Sequence, residues 1–138
     1  MTTSPMIEDL QRWGDRFGVS RRVLTNADDV VGCCEPTPRG ILRYFDWIAE
    51  TSRLRPDVTT VLNKVPRSSR VGAESIRQLR DVGGGLIDDI HELPFDRRVA
   101  AAEWDGVEVP RGPFRKALGA IAMEIGVHRQ VETIEALS

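Results

Sequence analysis

Val58-Thr59-Thr60-Val61-Leu62-Asn63-Lys64-Val65-Pro66 opens as a β-branched run, turns polar and closes on a proline. β-branched residues suit a pleated, half-buried surface, and proline cannot continue a hydrogen-bonded ladder. The stretch predicts a strand over Val58–Asn63 with a buried middle and a polar carboxyl end. In open α/β sheets, ligands bind at the carboxyl ends of the strands. Asn63 is the residue that this strand delivers to that edge.

Two further stretches have the same form. Upstream, Asp29-Val30-Val31-Gly32-Cys33-Cys34-Glu35 is a short apolar run closed by Pro36. It predicts a strand buried on both faces, as in a parallel sheet. Downstream, Leu86 to Leu93 predicts a third strand, less apolar, closed by Pro94.

Helical patterns lie between and around these strands. Thr37-Pro38 is a helix start, and Ile41, Phe45, Ile48 and Ala49 form one face up to about Arg53, with Leu42 and Trp47 widening it and Pro56 beyond. Ser68 or Ser69 can cap a helix that carries Val71, Ile76 and Leu79 inward, with Gly83-Gly84-Gly85 as a break. Asp96 caps a short helix over Arg97–Trp104 that stops at Asp105-Gly106. Pro113 starts a helix with Phe114, Ala117, Leu118, Ile121 and Ile125 on one face, ended by Gly126. At the front, Ser4-Pro5 opens a helix carrying Met6, Leu10, Trp13 and Phe17.

Strands alternating with helices imply a parallel sheet with right-handed crossovers. The expected architecture is one α/β domain over residues 1–138, with about three parallel strands flanked by helices. Residues 1–23 form its helix and lead-in, and residues 126–138 its tail.

Composition sets outer bounds. The chain has 138 residues, 41% hydrophobic and 29% charged, with a net charge of -2. This is ordinary globular composition, and the charge gives no general attraction for nucleic acid. No run approaches the roughly 18 apolar residues of a membrane span. The opening Met1-Thr2-Thr3-Ser4-Pro5 lacks the basic and apolar regions of a signal peptide. The two cysteines, Cys33 and Cys34, are neighbours and form no disulfide framework. A reducing cytoplasm is the expected compartment.

In a parallel sheet, the three proline-closed ends (Glu35-Pro36, Asn63-Lys64-Val65-Pro66 and Glu92-Leu93-Pro94) converge on one edge. Proline also follows strands for the plain reason that it cannot extend them. The pattern alone leaves both readings open.

An ordered set of motifs adds a resemblance. Val61-Leu62-Asn63-Lys64-Val65, Leu93-Pro94-Phe95-Asp96-Arg97-Arg98-Val99, Ala101-Ala102-Glu103-Trp104-Asp105-Gly106 and Pro113-Phe114-Arg115-Lys116-Ala117-Leu118 resemble the distal half of MinD/ParA-type deviant Walker P-loop ATPases. MinD-like and CpaE-like members are nearest. Ala27-Asp28-Asp29-Val30-Val31 through Glu35-Pro36-Thr37-Pro38-Arg39-Gly40-Ile41 resembles the family's middle strand and following helix, so the likeness covers residues 24–125.

The resemblance implies a partial P-loop NTPase-like three-layer fold and a nucleotide site with ATP or ADP as its ligand. Asn63 would contact the adenine edge, where an amide can both donate and accept. Pro94 would pack against the base, with Lys64 and Phe95 beside it. Satisfying loop backbone is the competing role for Asn63.

The departure is equally concrete. A phosphate-cradling loop needs glycines followed by lysine and Ser/Thr at a helix start. Gly83-Gly84-Gly85 precedes a strand and runs into Leu86-Ile87-Asp88 with no lysine. In the family, that loop, its lysine, the Mg²⁺ ligands and the catalytic acid belong to an N-terminal half. The expectation is a truncated or split product that does not hydrolyse ATP alone. Its partner would be a second copy or a P-loop-bearing chain.

Other candidates are weaker. Asp88, Asp89, His91 and Glu92 suggest metal ligands, but strand alternation puts Asp89 and His91 on one face and Asp88 and Glu92 on the other. A solvated edge strand is the simpler reading, and no metal is expected. Cys33 and Cys34 read as small core residues. Arg39, Arg43, Arg53, Arg55, Lys64, Arg67 and Arg70 give a basic middle that reads as a solvated helix face. The tail has Val127, Val131 and Ile134 at helical spacing, but Glu132 and Glu135 oppose docking on an anionic membrane. A second functional class stays open: a non-catalytic interaction module that keeps part of the ParA/MinD fold.

Overall fold

The computed structural model describes residues 18–67, 69–87 and 89–137, with side chains described within 21–126. The helix expected over Pro5–Phe17 lies outside the described residues. The chain runs α1 (Gly18–Asn26), β1 (Val30–Cys34), α2 (Pro38–Thr51), β2 (Val58–Val65), α3 (Val71–Gly83), a 3-10 turn (Gly84–Leu86), β3 (Ile90–Pro94), α4 (Arg97–Asp105) and α5 (Pro113–Leu137).

The strands form one sheet in the order β1-β2-β3, and both pairings are parallel. Val30 pairs with Val58, and Thr60 with Ile90. Thr37 caps α2 by accepting the Gly40 N–H at 3.0 Å, with Pro38 in the first turn.

Strand alternation divides the core into two. On one face Val30, Cys34, Val58 and Leu62 meet Ile41, Tyr44 and Ile48 of α2 and Leu79 of α3. On the other face Val61 and Leu93 meet Ile121 of α5, with Phe114, Ala117 and Ile125 around them. Helices therefore cover both sides of the sheet, and the α/β three-layer architecture is as the sequence predicts.

Packing of α2 on β1 needs a missing side chain. A Cβ at Gly32 would lie 2.6 Å from both the Trp47 ring and the Tyr44 hydroxyl. Without it, the Tyr44 hydroxyl reaches the buried Thr60 hydroxyl on β2 at 2.6 Å. Burial pushes the Tyr44 phenol up to about 12, with the Thr60 hydrogen bond opposing. A buried arginine ties the amino-terminal side together. Arg55 donates to the carbonyls of Leu24, Ala27 and Asp28 at the end of α1, and pairs with Asp57 at 3.0 Å. The last carbonyls of a helix have no partner within it, and a cation there satisfies them.

Several expectations are corrected. β2 runs on to Val65, two residues past Asn63, and Arg55 is buried rather than on a solvated face. β1 is buried on one face only: Val30, Gly32 and Cys34 are buried, whereas Val31 (42% exposed) and Cys33 face out. Neither Val31 nor Cys33 belongs to either core, because α5 covers β2 and β3. Cys34 is thus a core residue and Cys33 is not. Burial, then the neighbouring Glu35 and Cys33, pushes the Cys34 thiol up to about 12.

β3 starts at Ile90, not Leu86. The left-handed Gly84 (φ 54) turns the chain first, and Ile87 is buried against Gly83. On α3, Leu79 is buried and Ile76 packs partly buried against the core as expected, but Val71 is exposed and the small residues Gly72 and Ser75 are buried instead. Finally, α5 continues through Gly126 to Leu137. One glycine inside a helix costs only about 1 kcal/mol.

Gly32→Ala is expected to lower stability by about 1–3 kcal/mol through overpacking. Gly85→Ala, where a Cβ would meet nothing within 4 Å, is expected to be near neutral. Urea midpoints of the two variants check this.

Candidate functional site

The carboxyl ends of the strands do share one edge, and β2 supplies its centre. Leu62 pairs with Glu92 and Val65 with Pro94, so Asn63 and Lys64 together oppose the single residue Leu93. This is a β-bulge, a device that re-aims side chains near sites. Lys64 takes the left-handed conformation with φ 56, which costs a non-glycine residue about 1 kcal/mol or more. Asn63 holds it there: its Oδ1 accepts the Lys64 N–H at 2.9 Å. The Lys64 ammonium in turn lies 3.9 Å from the Glu35 carboxylate, linking the ends of β1 and β2 through an exposed pair.

Beyond the bulge, the Phe95 N–H donates to the Val65 carbonyl at 2.9 Å and carries the pairing past Pro94. A cleft of about 520 Å³ opens there, lined by Pro66, Arg67, Phe95, Asp96, Arg97 and Arg98. The Phe95 ring is 50% exposed. Three arginines and one carboxylate line the cleft, and that carboxylate is committed. Asp96 caps α4 by accepting the Arg98 N–H at 2.9 Å, and grips the Arg98 guanidinium at 2.9 and 3.2 Å. The Arg98 guanidinium, then its N–H, hold the Asp96 carboxyl below the usual carboxylate range, and the charge of Arg67 adds to this. Arg67 and Arg97 form no hydrogen bond or ion pair among the described residues.

Of the four residues predicted for the site, the structure brings Phe95 into the cleft lining. Asn63, partly buried, and Lys64, exposed, sit on the adjoining bulge. Pro94 ends β3, half-buried against Val65. The Asn63 amide oxygen is engaged by backbone, which leaves its NH₂ group as the donor it can offer a ligand. Sequence reading gave Arg67 and Arg97 no part in the site. The available signal was an arginine just past each strand-closing proline, in Pro66-Arg67 and Pro94-Phe95-Asp96-Arg97. A second hollow of about 360 Å³ lies between Pro36–Pro38 and Arg70–Val71, where α2 and α3 begin.

Compared with known proteins, the chain matches no family model, no curated protein and no solved structure.

The Asp96–Arg98 pair has a pH signature. The carboxyl is depressed in the folded chain, so its stabilisation is present above the ordinary aspartate value and is lost as pH falls through the lowered one. Asp96→Asn is expected to be less stable than the parent at pH 7. The two should converge towards roughly pH 3 or below, past the ordinary aspartate value. Urea midpoints taken across that range measure the difference.

Proposed function

We propose that the cleft at the carboxyl ends of β2 and β3 binds a nucleotide. In this reading Phe95 stacks on the base, and Arg67 and Arg97 take the phosphates. The observation that carries it is a half-exposed aromatic residue sharing one cleft with Arg67 and Arg97, which form no hydrogen bond or ion pair among the described residues, at the edge where α/β sheets bind ligands. Aromatic rings stack on any base, and a guanidinium matches phosphate geometry with paired donors. Asn63 offers its NH₂ group to the base edge, and Pro94 gives that end of β3 a rigid apolar wall. Lys64 adds charge beside it.

The finer reading is the base-recognising half of a MinD/ParA-like ATPase. It rests on the motif resemblance over residues 24–125. The chain would bind ATP or ADP without hydrolysing it, since no lysine-bearing glycine loop stands at a helix start to stabilise a transferring phosphoryl group.

Isothermal titration with ATP, ADP and GTP tests this. Saturable 1:1 binding is expected, with Phe95→Ala weakening it roughly 5- to 150-fold, the worth of one base–aromatic stack. Arg97→Ala should weaken ATP more than adenosine, and Asn63→Ala should narrow the preference for adenine over guanine. Absence of binding, or affinity indifferent to Phe95→Ala, would sink the proposal.

A second reading, a protein-interaction module, has its own observation. Among the described residues, β1 is an edge strand whose Val31 and Cys33 side joins neither core. Uncovered sheet edges are templates for pairing with another chain. A second copy pairing there predicts a dimer by size exclusion with light scattering, converted to monomer by Val31→Lys. A monomeric parent chain rules that pairing out.

A further inference from the structure

The opposite end of β3 carries a cluster that the nucleotide reading does not use. His91 is the second residue of β3 and pairs in register with Val61, so it faces α5. Its Nε2 lies 3.0 Å from an Asp89 carboxylate oxygen and 3.3 Å from a Glu124 carboxylate oxygen. One ligand atom from each of the three residues falls within 4.8 Å of the others. The His91 side chain is only 19% exposed, while both carboxylates reach solvent.

Each member is held by the fold. The Asp89 carbonyl accepts the Thr60 N–H at 2.9 Å, which fixes the Asp89 backbone to the central strand. Glu124 follows Ile121 by three residues on α5, so both share a face, and Ile121 is buried against Val61 and Leu93. Packing of α5 therefore brings Glu124 to His91. Asp89 directly precedes β3 and His91 is its second residue, and the two side chains meet at 3.0 Å. The helix supplies the third group.

We propose that Asp89, His91 and Glu124 bind one first-row divalent cation of the zinc type, which fastens α5 to the amino end of β3. The donor set selects the ion class. Imidazole with carboxylates suits zinc and its neighbours, whereas magnesium and calcium prefer oxygen alone. The spacing fits as well. Ligands at about 2.0–2.1 Å from a tetrahedral zinc lie about 3.3–3.4 Å apart, close to the 3.0 and 3.3 Å that separate His91 Nε2 from the two carboxylates. With His91 neutral, the two carboxylates balance a divalent charge. Three protein ligands leave the solvent side open for water, the arrangement of sites with an exchangeable position.

The same spacing would let the two carboxylates share a single His91 proton, and the test separates the two cases. Metal-free chain is titrated with ZnCl₂ by calorimetry and with CoCl₂ by visible absorption. One saturable site is expected, with Co²⁺ d–d bands showing nitrogen and oxygen ligation. His91→Ala and Glu124→Gln should each weaken Zn²⁺ at least about tenfold, since loss of even an outer partner costs that much. Cys33→Ser should leave it unchanged. Zn²⁺ should also raise the melting midpoint of the parent and not of Glu124→Gln, because an ion bound to the folded state stabilises it. Glu124 is exposed, so unchanged circular dichroism in Glu124→Gln keeps loss of folding from mimicking the result. No saturable binding, binding indifferent to Glu124→Gln, or binding abolished by Cys33→Ser would each overturn the proposal.

Discussion

The rest of this fold depends on the absence of a side chain at Gly32. The Tyr44 and Trp47 rings of α2 lie where a Cβ would stand. That close approach lets Tyr44 pass β1 and bond Thr60 on β2 at 2.6 Å. A hydrogen bond between two buried hydroxyls contributes only about 1 kcal/mol net, but leaving either one unpaired costs more. The bond therefore acts mainly as a specification: α2 can sit on the sheet in only one way. That placement sets the crossover from β1 to β2, and with it the position of β2 as central strand.

A central β2 explains both candidate sites. Its carboxyl end bulges at Asn63 and Lys64 before the chain reaches Arg67, and its neighbour β3 brings Phe95 and Arg97 to the same place. Nearer its start, the Thr60 N–H holds Asp89, and Val61 gives α5 the surface on which Ile121 sits. The two sites lie at opposite ends of β3. A ligand at one does not crowd the other, and both draw on the packing between β2, β3 and α5.

Much of the architecture was legible because proline, glycine and capping residues act locally. Thr37-Pro38, Asp96 and Gly106 mark their helix ends in the structure as they do in the sequence. What depended on tertiary neighbours was not legible. Val30-Val31-Gly32-Cys33-Cys34 is apolar throughout, and nothing local tells that α5 covers β2 and β3 and leaves Val31 and Cys33 outside the cores. A lysine at positive φ has no sequence signal, so the bulge at Lys64 and the extra length of β2 went unseen. Asn63 lies two residues before the end of β2 rather than at it, and its backbone bond to Lys64 depends on that bulge. Arg67 meets Arg97, and His91 meets Glu124, only after the chain has folded between them. Strand alternation paired Asp89 with His91, yet it could not supply the helix residue beside them.

The two cysteines have a use that follows from the one-sided burial of β1. They are adjacent in sequence, yet Cys33 is exposed and Cys34 is buried. A thiol reagent in solution meets the first directly and the second only when β1 separates from α2, because Cys34 lies in the core with Ile41 and Tyr44. The reactive species is the thiolate, and Cys34, pushed up to about 12, forms almost none while buried. The natural chain thus carries a clock and its own reference one residue apart. The lag between the two alkylations times the local opening of the sheet edge, with no probe introduced.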